Sequence, residues 1–130
     1  MLLRFVVKNL YSFKEETEFN LFPSSKATHH LHHKVQCGDV EAMRLTAIYG
    51  ANGAGKSNLV KALQDLKTFI SIGNISQAVF QNYKFQFSKS SLSDPVSMAI
   101  EFCAGGVNYY YSIEIDTGLV SYEALSISKR

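Results

Sequence analysis

Apolar and polar positions follow two different periods along this chain, and the change falls after residue 72. Residues 2–7 form a short run of Leu, Phe and Val that predicts a first strand. The polar stretch "KNLYSFKEE" interrupts it, and residues 17–22 predict a second strand stopped by Pro23. Residues 24–40 carry Ser, His, Gly and Asp without periodicity and read as a loop. Residues 45–49 are a brief apolar run between Arg44 and Gly50, as in a buried strand. Residues 57–72 predict the one long helix. Leu59, Leu63, Leu66 and Ile70 recur at helical spacing, while Lys61, Gln64, Asp65 and Lys67 lie mostly opposite. Gly73 and Asn74 supply its stop.

Beyond the helix the period is two. "YKFQF" places Tyr83, Phe85 and Phe87 on one side. Val96, Met98, Ile100 and Phe102 share a face, as do Tyr109, Tyr111, Ile113 and Ile115. Gly105-Gly106 between these runs is a tight hairpin signal. "DTG" at 116–118 marks the next turn, before a last strand over 119–127. This half predicts an antiparallel meander with one wet face. No internal repeat and no linker divides the chain, so residues 1–130 are expected to form one α/β domain.

The junction between strand 45–49 and the helix carries the chemistry. Gly50, Gly55, Lys56 and Ser57 satisfy G-x-x-x-x-G-K-[ST], the phosphate-loop pattern of P-loop NTPases. Glycines at 50, 53 and 55 allow backbone angles that let main-chain N–H groups converge on phosphate oxygens. The start of the helix adds unpaired N–H groups and the positive end of its dipole. Lys56 is expected between the β- and γ-phosphates. The Ser57 hydroxyl is expected to be a Mg²⁺ ligand, because that ion prefers oxygen donors shared with phosphates. The expected nucleotide-binding set is Gly50, Ala51, Asn52, Gly53, Ala54, Gly55, Lys56, Ser57 and Asn58, with ATP and Mg²⁺ as cofactors. The loop by itself does not choose ATP over GTP, but no guanine-reading N-K-x-D is present.

Over "GANGAGKSNLVKAL" the chain resembles the ABC-type ATPase heads of the SMC and RecF class, whose loop has the form G-x-N-G-[AS]-G-K-[ST]-N. The opening strand and "KNLYSFKEETEFNL" are similar to the entry of that class, with Leu10 and Tyr11 where Phe and Arg are usual. Within the class the likeness is to bacterial AAA-family ATPases with a RecF-like or OLD-like head. Their "F-x-F", "Y-x-Y-x-[IL]" and "E-x-L" segments compare with Phe85–Phe87, Tyr109–Ile113 and Glu123–Leu125. The resemblance implies an ATPase in which two heads clamp two ATP molecules in a head-to-head homodimer. It also implies a setting in antiphage defence or DNA maintenance, with a nuclease effector or DNA as partner.

Such a head needs more than a phosphate loop: an apolar run ending in Asp-Glu, an LSGGQ-like signature and a switch histidine. "YSIEID" has Glu114 inside the run and Thr117 after Asp116, and its alternation suits an antiparallel strand. "CAGGVN" sits in the predicted hairpin and lacks the Ser. In the resembling class those elements lie downstream. The chain therefore corresponds to the N-terminal lobe of a head, with ATP binding expected and turnover expected only in a complete head. Two rival readings stand beside it: a P-loop GTPase or small kinase, and a non-hydrolysing interaction module that uses nucleotide, or none, only to hold a partner.

Composition changes this picture little. The chain has 130 residues, net charge +2 and 46% hydrophobic residues, ordinary for a globular domain and too weakly basic to argue for nucleic acid. Cys37 and Cys103 are far apart and form no CxxC, which suits a reducing compartment. With no signal-peptide pattern and no membrane-length apolar run, a cytoplasmic location is expected. His29, His30, His32 and His33 cluster near Cys37, but their spacing matches no structural zinc pattern. The seven Tyr and nine Phe mostly follow period two and are expected to build the core. Lys8 and Lys14 are expected on a solvated edge.

Overall fold

The computed structural model describes residues 1–26, 29, 31–74, 76 and 80–129. Five strands form one antiparallel sheet in the order β2 (Thr17–Asn20), β1 (Leu2–Lys8), β5 (Val96–Ala104), β6 (Val107–Asp116) and β7 (Leu119–Ile127). A separate hairpin pairs β3 (Lys34–Cys37) with β4 (Val40–Met43). Helix α1 (Lys56–Ile72) packs on one face of the large sheet, and the short α2 (Lys89–Ser93) precedes β5.

Period-two alternation gives the sheet its two faces. Phe5 and Val7 of β1, Val96 and Met98 of β5, and Tyr111, Ile113 and Ile115 of β6 point to the same side. They meet Leu59, Ala62, Leu66 and Phe69 of α1. Each of these large apolar side chains contributes about 1.5–3 kcal/mol when fully buried. A bulge between Leu2 and Arg4 puts two β1 residues against one of β5 and rotates Leu3 out of this core. Leu3 instead joins Cys37, Ala42 and Cys103 in a second, smaller core beneath the β3–β4 hairpin.

On the other face, Glu101 is wholly buried. It is paired with Arg4 Nε at 3.1 Å and accepts from the Ser128 hydroxyl at 2.7 Å. The Arg4 guanidinium also lies 5.6 Å from the Tyr110 ring centre.

The end of β1 is fixed by Asn9, whose backbone is left-handed at φ 55. Its carboxamide donates to the carbonyls of Ser91, Asp94 and Pro95 at 2.7, 2.9 and 3.3 Å. The following turn is closed by reciprocal Leu10–Phe13 backbone bonds of 3.1 and 2.9 Å and tied by Tyr11 N to Tyr83 O at 2.6 Å. Its direction matters, because it sets Ser12 and Phe13 beside the start of α1.

Four expectations from the pattern are corrected. Residues 45–49 do not form a strand, and Leu45, Ile48 and Tyr49 are exposed. A strand exists only where a neighbour takes its backbone N–H and C=O groups, and among the described residues no strand lies alongside. The domain is therefore an antiparallel sheet with a helix on one face, and the strand half of the expected strand–helix layer is not formed. Residues 34–43 form a hairpin, not loop, around a Gly38-Asp39 turn. "YKFQF" forms turns, with Lys84 buried and Phe87 exposed. Lys84 Nζ donates to Leu92 O at 3.2 Å and pairs with Asp116 at 3.6 Å. Finally, the buried stripe of α1 is rotated from the expected one: Ala62 and Phe69 are inside, while Ile70 is exposed.

Candidate functional site

The candidate site is the loop of residues 50–55 and the first turn of α1. Gly53 and Gly55 have φ of 84° and 91°, angles that L-residues adopt only with strain. Gly55 is the residue that caps α1, and no side chain hydrogen-bonds the free N–H groups of the helix start. Those groups, with the dipole behind them, face a concavity of about 270 Å³ lined by residues 52–58. Within the loop Ala54 N donates to Ala51 O at 3.2 Å, followed by the first helical bond, Leu59 N to Gly55 O at 3.0 Å.

Lys56 folds back over the loop and donates to Gly50 O at 2.7 Å and Ala51 O at 2.8 Å. Its ammonium thus stays at the concavity instead of extending into solvent. The Ser57 side chain is exposed on the same wall. Of the expected residues 50–58, those from Asn52 to Asn58 line the concavity, while Gly50 and Ala51 meet it only as carbonyl acceptors of Lys56. Asn58 faces differently: its carboxamide donates to Ser12 Oγ at 3.0 Å.

That bond introduces residues that the loop pattern does not specify. Ser12 crowds the loop so closely that a Cβ on Gly55 would lie 3.0 Å from its hydroxyl oxygen. Beside the loop a slot of about 190 Å³ is walled by Phe13, Phe19, Ile48 and Tyr49 and floored by Ala54, Gly55 and Lys56. Tyr11, standing where the resembling class has Arg, binds the turn to the helix instead. Its hydroxyl donates to Asp65, and Lys61 Nζ sits 4.6 Å from its ring centre. Burial, then the Asp65 carboxylate, hold the Tyr11 hydroxyl well above the usual phenol range. The only sequence signal for this group was the "LYSF" entry, which names the residues but not their contact with the loop.

Other candidates lie elsewhere. Glu114 and Asp116 line neither the concavity nor the slot, and Asp116 pairs with Lys84. Gly105-Gly106 is the β5–β6 turn. Lys14 pairs with Glu15 at 3.7 Å. Of the histidines, His30 lies outside the described residues, and the His32 and His33 rings meet edge-on at 4.2 Å. No group of three His, Cys, Asp or Glu among the described residues is arranged to hold a metal. Among the described residues no helix is long and apolar enough to cross a membrane.

A glycine-shaped backbone cradle, a helix N-terminus, one ammonium and one hydroxyl are the donor types that a tetrahedral oxyanion requires. Neither a curated protein nor a solved structure matches the chain. Residues 45–130 match the family model described as "AAA domain, putative AbiEii toxin, Type IV TA system". That span starts at the lead-in to the loop and runs through β7, which is compatible with nucleotide binding by a P-loop NTPase-like domain. The chain belongs to this family of AAA domains.

Proposed function

We propose that residues 50–58 are a Walker A loop that binds Mg·ATP. The observation that carries the reading is Lys56 held at 2.7 Å from Gly50 O, on the rim of a concavity formed by the uncapped start of α1. In this reading the backbone N–H groups of Gly53 and of residues 55–57 and the Lys56 ammonium take the phosphates. The Ser57 hydroxyl holds Mg²⁺, which offsets phosphate charge. The adjoining slot of Phe13, Phe19, Ile48 and Tyr49 has the size and apolar walls to take the nucleobase.

In this reading the chain is the N-terminal lobe of an SMC/RecF/OLD-like ATPase head, working as a head-to-head homodimer. The same reading, by the chain's resemblance to that class, sets it in antiphage defence, with a nuclease or DNA as the downstream partner. Calorimetry of the folded chain with Mg·ATP tests the core of the proposal. Saturable heat in the native protein and its loss in Lys56→Ala are expected. Folded protein that gives no heat would end the assignment. Turnover by a complete head and its loss in Lys56→Ala would separate an ATPase from a module that only holds a partner.

A further inference from the structure

Cys37 closes β3 and Cys103 lies near the end of β5, so the two thiols come from different sheets. Both are buried, in the small core with Leu3 and Ala42. The two side chains pack in the same small cluster, where Cys37 Sγ lies 3.2 Å from Met1 Sδ. The surrounding backbone fixes the pair. Met1 donates its amino group to Cys103 O at 2.6 Å and accepts from Cys103 N at 2.8 Å. On the hairpin side, Asn108 donates to Asp39, and Gly38 packs so tightly that an added Cβ would lie 2.8 Å from Asn108 Oδ1. Neither cysteine sits in the phosphate loop or its slot.

We propose that Cys37 and Cys103 are a modification site, converted by a low-molecular-weight disulfide into an intramolecular disulfide. One cysteine thiolate attacks the reagent and releases one small thiol. The second cysteine, as thiolate, then attacks the mixed disulfide and releases the other. One S–S bond breaks and one forms, the two cysteine protons leave to solvent and to the departing thiols, and the reagent is reduced as the pair is oxidised. Two features favour the intramolecular product. The partners already share one buried cluster, joined through Met1, and burial limits the mixed disulfide's access to a second reagent molecule.

The new bond would act on the site through the hairpin. Cys37 and Cys103 enclose the phosphate loop and α1 in one covalent ring. β4 leads directly toward the loop, anchored by Met43 N to Leu21 O at 2.7 Å and Arg44 N to His33 O at 2.8 Å. Oxidation therefore fixes the upstream anchor of residues 45–50.

Incubation of the full chain with oxidised glutathione tests this. The expected product is a monomer lighter by two hydrogens, with a tryptic Cys37–Cys103 crosslink and a melting temperature raised by about 5–10 °C. Cys37→Ser and Cys103→Ser are each expected to take up one glutathione at most and to show no such rise. A persistent mixed disulfide, a disulfide-linked dimer, or two unreacted thiols in the native chain would each overturn the proposal.

Discussion

The Lys56 ammonium donates to the Gly50 carbonyl at 2.7 Å, so the cation of the loop is held by the loop's own backbone. A bound phosphate and these carbonyls compete for the same three protons of the ammonium. Lys56→Ala is therefore expected to weaken Mg·ATP binding by about 10–100-fold, the worth of charge-assisted bonds of ~1.5–3 kcal/mol. The lost bonds are exposed, so the melting temperature should change little. Calorimetry and thermal melts on the same material check both halves.

Gly55 and Gly73 offer a matched pair of substitutions. Both have left-handed φ, 91° and 85°, so alanine at either costs about 1 kcal/mol of backbone strain. Around Gly73 nothing lies within 4 Å of the added Cβ, whereas at Gly55 it meets Ser12 Oγ at 3.0 Å. Gly73→Ala should lose stability but keep nucleotide binding. Gly55→Ala should lose both. Equal nucleotide affinity in the two variants would contradict the placement of the site.

Folding resists the ionisation of Tyr11 and Tyr111, as burial does that of Cys37. Burial and a carboxylate partner, Asp65 for one and Glu123 for the other, raise both well above the ordinary phenol value of 10.0. Between that value and the folded one, the native chain holds protons that the unfolded chain has released. Stability is then complete below pH ~10 and falls as pH rises above it. Melts between pH 9 and 11 should show this fall, and Tyr11→Phe should make it shallower. An unchanged slope would show that Tyr11 does not resist ionisation.

Arg4 and Glu101 test the second face of the sheet. Removing the guanidinium leaves the wholly buried Glu101 carboxylate with the Ser128 hydroxyl in place of its ion pair at 3.1 Å. Arg4→Ala should cost about 3–5 kcal/mol in denaturant unfolding. A loss within the range of a surface substitution would mean that the pair is solvated.

Residues 45–49 were the clearest strand in the sequence next to the loop, yet the fold leaves them without one. Tyr49 is 92% exposed and Leu45 72%. Tyr49→Ser should thus change stability by no more than about 0.5 kcal/mol and should lower binding of an apolar fluorescent dye. A large loss of stability would show that Tyr49 is packed.

What could be read in advance was whatever depends on local rules. The left-handed Gly73 stop, the Gly105-Gly106 hairpin and the faces of β5 and β6 need only a residue's own conformational freedom or alternation. The glycines of the loop are legible for the same reason. What escaped depends on contacts between distant segments. The β3–β4 hairpin has weak alternation and is held by Asn108 and Leu21, which lie elsewhere in the chain. Lys84 is buried because Asp116 and Leu92 O receive it, and the Asp116 carboxylate lies far outside any local window around residue 84. Ser12 reaches the site only because Asn9 turns the chain there, through carbonyls more than eighty residues away in sequence.

Helix α1 has 17 residues, about 25 Å of axis. One end walls the anion concavity, and just past the other, Asn74 bridges to Leu119 at the start of the last strand. Seated on the sheet by Leu59, Ala62, Leu66 and Phe69, it ties the wall of the concavity and the tip of the final hairpin to one buried stripe.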